Sequence, residues 1–205
     1  MGFQIGHRPP MERNSIHHFF DAMNPVLRIN PFGEVLKMNV ELKQVAVDEK
    51  EILRNLLEKY DYEFSQWDKR DVNKLGLYGY DYLDNYWTEE KRWAYFIMVD
   101  GKLAGFAMVI TLPVVNDRET DFQMAEFFVM YKYRQSGVGR QAFFKVLDMH
   151  KGKWQLVRHP ANIASVHFWD KVINEYTNGR FELVRAYPGT EYDDGTLGDV
   201  FFFES

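Results

Sequence analysis

The chain has 205 residues, 30 acidic and 25 basic side chains, a formal net charge of −5 and no cysteine. Without cysteine there are no disulfides, thiolate metal sites or cysteine nucleophile. The acidic balance, with no Lys or Arg beyond Arg185, argues against nucleic acid and suits a cationic partner. No apolar run reaches the roughly 18 residues of a membrane span, and the N-terminus lacks a basic-then-apolar signal pattern. A cytoplasmic domain without membrane contact is expected, and a homodimer is allowed.

In chain order, residues 1–37 stand apart. Pro9, Pro10, Pro25 and Pro31 interrupt any periodicity, so this stretch reads as an N-terminal extension, either a packed arm or a poorly ordered leader. His7, His17 and His18 lie here, but no cysteine or spaced carboxylate completes a zinc site, and no metal is expected. Residues 38–205 read as the folded domain, and Met38 is an alternative start. Val40–Val47 alternates as a first strand. Asp48 is a candidate cap for a helix through about Tyr60, with Ile52, Leu53, Leu56 and Leu57 as its apolar stripe. Residues 60–92 are aromatic and acidic. Trp93–Val99 and Lys102–Thr111 form a hairpin around Asp100-Gly101. Phe122–Met130 is a central strand, residues 137–150 a helix, Lys153–Arg158 a strand and Asn162–Tyr176 a helix. Phe181–Tyr187 and Leu197–Glu204 close as an antiparallel pair. This order predicts an α/β fold: a mixed, mostly antiparallel sheet of six to seven strands with helices on both faces.

The most informative stretch is Tyr133-Arg134-Gln135-Ser136-Gly137-Val138-Gly139-Arg140, between the central strand and its helix. Two glycines at such a junction bring backbone N–H groups to a ligand, and the helix start favours an anion. Arg134 and Arg140 bracket the turn and can add charge-assisted hydrogen bonds. A P-loop would need Lys and Ser or Thr where the chain has Arg140-Gln141. A dinucleotide fingerprint fits Gly137–Ala142 on paper. However, the polar spacer Lys132–Ser136 intervenes, and Arg158 and His159 stand near the position of the expected acidic ribose ligand.

Arg134 to Gly139 resembles the Q/R-x-x-G-x-G/A turn of the GCN5-related N-acetyltransferase (GNAT) family, and the helix opened by Asn162, with Phe168, Trp169 and Lys171, is similar to the family's next helix. The resemblance covers roughly residues 38–205. It implies an N-acetyltransferase that passes acetyl from acetyl-CoA directly to a primary amine. The runner-up is a non-catalytic acyl-CoA-binding module. The resemblance also implies that Arg134, Gln135, Ser136, Gly137, Val138, Gly139 and Arg140 cradle the pyrophosphate. The backbone of Phe128, Val129 and Met130 would pair with pantetheine, and Asn162 would touch the CoA arm or simply cap its helix. Pantetheine would enter a splay between Phe122–Met130 and Lys153–Arg158.

Glu126, a charge within an apolar strand, is the candidate general base, with a solvent-facing or ion-paired residue as the plain alternative. Asp61, Glu63, Phe64 and Trp67, with Tyr62, are candidates for an aromatic, acidic wall around a small-molecule amine; solvated turns and core aromatics are the alternative. The family's usual general-acid Tyr is replaced by Trp169, which has no ionisable proton. Tyr176, Tyr187, Tyr192 or water would have to serve instead. His159, near the end of a central strand, reads as structural with a site role left open.

Overall fold

The computed structural model describes Arg28–Ile29, Val35–Leu36 and residues 38–205. The expected N-terminal extension, with His7, His17 and His18, otherwise lies outside the described residues. Two short strands, β1 (Arg28–Ile29) and β2 (Val35–Leu36), pair antiparallel. The main sheet has seven strands: β3 (Val40–Gln44), β4 (Arg92–Val99), β5 (Lys102–Ile110), β6 (Phe122–Val129), β7 (Lys153–Arg158), β8 (Phe181–Val184) and β9 (Asp199–Glu204). Their spatial order is β3-β4-β5-β6-β7-β9-β8, and only β6 and β7 run parallel. The expected mixed, mostly antiparallel sheet is therefore present.

The β4–β5 hairpin closes through Asp100 (φ 50°) and Gly101 (φ 72°), the pair of positive φ angles that a two-residue turn matching strand twist requires. Helices α1 (Lys50–Asp68) and α2 (Asn85–Thr88) cover one face of the sheet. Leu53, Leu56 and Leu57 of α1 pack with Leu83 and Tyr86 on Phe96, Phe106, Met108 and Phe128. Helices α3 (Val138–Met149) and α4 (Ile163–Thr177) cover the other face, where Phe143, Leu147, Trp169 and Ile173 meet Val109, Trp154, Leu156 and Phe201.

Several expected boundaries are corrected. The first strand ends at Gln44, and Asp48 lies in a short 3₁₀ turn, Val47–Glu49, rather than capping α1. Glu49 closes that turn instead, accepting the Ala46 amide at 3.4 Å. Helix α1 does not stop near Tyr60 but runs two turns further, to Lys69 in the left-handed region (φ 61°). Ile52, expected in its apolar stripe, is exposed. The closing pair is also shorter than expected, at Phe181–Val184 and Asp199–Glu204.

Two features of β6 shape the surroundings of Glu126. Met108 of β5 faces Glu126 and Val109 faces Met124, so Ala125 is an extra, bulged residue. Strict alternation would put Glu126 on the face of Met124, toward α3 and α4. The bulge shifts the phase, and Phe128 consequently packs under α1. Beside the bulge, β6 leaves its parallel neighbour. Only Phe122↔Trp154 and Gln123↔Gln155 are paired, and from Met124 onward the two strands diverge.

Candidate active site

Helix α1 stands over the diverging strands and supplies one wall. Tyr60, Phe64 and Trp67 recur at helical spacing on one face, with ring centroids 5.9 Å (Tyr60–Phe64) and 5.7 Å (Phe64–Trp67) apart. Tyr60 rests on Phe106 and Phe128. Phe64 reaches His159, just past β7, at 5.9 Å, and Tyr192 of the β8–β9 loop at 5.7 Å. Helix α1, the end of β7 and that loop thus meet around the opening between β6 and β7. Tyr62 points away from this wall and is exposed.

Glu126 lies at the base of the site. Its residue keeps some solvent access, but its carboxylate accepts the Tyr80 hydroxyl at 3.2 Å and is also hydrogen-bonded by Tyr60. Burial pushes the carboxyl up to about 7 and the charge of Asp61 adds to the rise, while the two tyrosines and Arg70 oppose it. The same burial and the Glu126 charge hold Tyr60 and Tyr80 well above the ordinary phenol value. Asp61 is buried and pairs with Arg70 at 2.7 Å; its other oxygen has no hydrogen-bond partner among the described residues. Burial raises this carboxyl to about 6 against the pull of Arg70.

The turn after β6 presents a helix start with no side-chain cap. Gly137, at φ 80°, is the residue before α3, and Gln141 N–H is the first to close onto its carbonyl at 3.0 Å. The amides of Val138, Gly139 and Arg140 consequently lack intrahelical acceptors. A left-handed φ favours glycine at 137. At Gly139 the reason is packing: a Cβ there would stand 3.1 Å from the Phe168 ring of α4. Gln135 is exposed at φ 59°, the Ser136 hydroxyl donates to the Tyr133 carbonyl at 2.7 Å, and Val138 is core.

Both arginines of the turn are engaged by carboxylates. Arg134 makes a bidentate pair with Glu63 of α1 (2.6 and 2.7 Å), donates to the Val129 carbonyl at 2.6 Å and stacks on Tyr131. Arg140 pairs with Glu175 of α4 and lies over Phe144. Met130 N–H donates to the Ala104 carbonyl and the Met130 carbonyl accepts the Tyr133 amide, so main-chain groups of the 128–130 segment already have protein partners. Asn162 caps α4, its side chain accepting the Ser165 amide at 3.0 Å.

Trp169 is buried between Phe127 (5.3 Å) and Phe143 (5.1 Å). Tyr176 is spent on Asp148 and Lys151, and Tyr187 donates to Asp117. Tyr60, Tyr80 and Arg70 were not singled out in the sequence. Tyr60 alone carried a signal, four residues before Phe64. Among the described residues, no cluster of three or more His, Cys, Asp or Glu could hold a metal ion, and no helix is long and apolar enough to cross a membrane.

The sequence model of the acetyltransferase (GNAT) family matches residues 53–173, a span from α1 through the glycine turn before α3 to α4. The chain belongs to the acetyltransferase (GNAT) family. Membership makes it an acyl-CoA-dependent N-acetyltransferase. Among solved structures, an acetyltransferase from Thermus thermophilus is similar at 13% identity and a TM-score of 0.56, over 81% of this chain and 97% of the other. A spermidine N-acetyltransferase from Vibrio cholerae, in complex with CoA and spermine, is similar at 14% identity and 0.55, over 80% and 95%. An aminoglycoside acetyltransferase in complex with coenzyme A gives 15% identity and 0.54, over 79% and 94%. At these identities the likeness is one of fold. Curated proteins gave no match.

Proposed function

We propose that this GNAT enzyme transfers acetyl from acetyl-CoA to a small primary amine by direct attack, with Glu126 as the base. The observation that carries the reading is a carboxylate raised to about 7 on a bulged strand, beside an unpaired opening in the sheet. The residues present fit the co-substrate. Bare amides at the start of α3 suit a pyrophosphate, and the divergence of β6 from β7 suits an extended arm carrying amides. Acetyl-CoA supplies the activated thioester carbonyl. The chain's own work is to hold the amine against it and take the proton that the nitrogen must lose.

Glu126 is suited to that work because its proton affinity lies near neutrality, where it can both accept and release a proton. Tyr60 and Tyr80 orient its carboxylate. The aromatic wall of Phe64 and Trp67, with Asp61 behind it, offers an apolar body and a buried negative group to an amine. The spermine and aminoglycoside chemistry named for the similar structures agrees with a cationic acceptor. A cytoplasmic setting belongs to the same proposal.

The test is thiol release over a panel of amines, beside calorimetry with CoA. The expected result is turnover with at least one amine, and a fall of roughly 10²–10⁴-fold in kcat/KM for Glu126→Gln. In the unaltered enzyme the rate rises with pH through about 7 as Glu126 ionises, and the variant loses that limb. CoA binding without turnover on any amine would replace the enzyme reading with that of a binding module. An unchanged rate and pH profile in the variant would remove Glu126 from the mechanism.

A further inference from the structure

We infer that Tyr192 donates the proton that the departing CoA thiolate requires. This rests on the acetyl-transfer reading above and adds a residue outside the 53–173 span matched by the family model. The position where the resemblance expects an acidic hydroxyl holds Trp169, packed into the core. Other nearby phenols are occupied or misplaced. Tyr60 and Tyr80 serve Glu126, Tyr176 and Tyr187 are bound by Asp148 and Asp117, and Tyr86 of α2 is buried in the core of that face.

Tyr192 is half-buried, and its hydroxyl has no hydrogen-bond partner among the described residues. Its ring lies 4.6 Å from that of His159 and 5.7 Å from that of Phe64, which places it between the end of β7 and the α1 wall. The loop that carries it is built to hold position. Tyr192 N–H donates to the Thr196 carbonyl at 2.9 Å and Gly195 N–H to the Tyr192 carbonyl at 2.8 Å. Glu191 bridges Leu197, and Asp194 caps Thr196 through both its amide and its hydroxyl.

The groups facing Tyr192 are Glu126 on β6, Asp199 on β9, Tyr60 on α1 and His159 after β7. Burial, then the two carboxylates, hold the phenol above its ordinary value, so it stays protonated at neutral pH. His159 is not the donor. Its Nδ1 accepts the Ala161 amide at 3.2 Å, which leaves a neutral ring with its proton on Nε2. Giving that proton up would create an imidazolate. His159 instead props Tyr192, with Nε2 3.5 Å from Asp194.

The step balances. The amine nitrogen bonds to the thioester carbon, the carbon–sulfur bond breaks, and its electron pair goes to sulfur. Glu126 takes the proton from nitrogen and Tyr192 gives one to sulfur. Return of the proton from Glu126 to the phenolate, through Tyr60 or water, restores both groups and leaves amide and free thiol.

Tyr192→Phe keeps the ring and its stacking, which guards the fold. The expected result is a fall of roughly 10²-fold or more in kcat, with amine KM and calorimetric CoA affinity each within about twofold of the unaltered enzyme. A second measurement needs no turnover: the ultraviolet absorbance of the thiolate is followed against pH in the CoA complex. A hydroxyl donating to sulfur favours the ionised form, so the bound thiol should ionise about one pH unit lower in the unaltered protein than in Tyr192→Phe. Coincident titrations, or an unchanged kcat beside an active parent, would overturn the role of Tyr192 alone. A parent with no thiol release on any amine would overturn the acetyl-transfer reading, and this step with it.

Discussion

Glu126 is expensive where it stands. Its rise from an ordinary 4.5 to about 7 is worth about 3 kcal/mol at 1.36 kcal/mol per pH unit. The sign follows from proton counting. Below pH 4.5 the carboxyl is protonated in both the folded and unfolded chains and costs nothing; between 4.5 and 7 the folded state holds a proton that the unfolded state has lost; above 7 the folded state must bury the charge. Stability from this residue is therefore complete in acid and lost as pH climbs through 7. Glu126→Gln should unfold at higher denaturant than the parent at pH 8, by up to about 3 kcal/mol, with the advantage vanishing near pH 4.5. Equal midpoints at pH 8 would mean that hydrogen bonds from Tyr60 and Tyr80 already offset burial. A stabilising loss of function is what a strained site predicts. Glu126 was legible in the sequence because a lone charge in Met124–Met130 is chemically out of place. Its companions were not, since the Tyr80 hydroxyl bonds it and the Arg70 charge, paired with Asp61, acts on it only through tertiary folding.

Helix α1 is the element that most changes the view of the site. Its aliphatic stripe ends at Leu57, so a helix ending near Tyr60 was the natural reading of periodicity. The continuation is written in aromatics, Tyr60, Phe64 and Trp67, which also suit strands and turns and therefore carry little helical signal. That extension brings Glu63 to Arg134 and ties the aromatic wall to the glycine turn before α3. A pyrophosphate at the turn would compete with Glu63 for the same guanidinium. Glu63→Gln should therefore tighten CoA binding, by about tenfold if one charge-assisted bond is released, and steepen its weakening with salt. Calorimetry at two ionic strengths checks this, and unchanged or weaker binding would make Arg134 a brace rather than an anion contact. The bulge at Ala125 was illegible for a different reason. A one-residue phase shift leaves an apolar strand looking apolar, yet it decides which face Glu126 occupies.

At the scale of the molecule, composition and element order were enough for the sheet, because alternating strands and amphipathic helices leave few ways to cover both faces. They could not show where the sheet opens, which depends on β6 and β7 sharing only two residue pairs. Hydrogen exchange makes that opening measurable. Amides of residues 124–129 should gain protection when CoA is added, while those of the β4–β5 hairpin stay as they were. Protection confined to the turn at 134–140 would mean that the arm does not lie along β6. The seam has a mechanical meaning as well. Strands β3 to β6 form one leaf and β7 to β9 another, stitched by Phe122↔Trp154 and Gln123↔Gln155 and by the core beneath. A molecule whose amides bond both leaves acts as a temporary eighth strand. On the proposed function, an acyl-CoA arm lying in the seam would be a structural member as well as a reactant, and the two leaves should melt more nearly as one when it is bound.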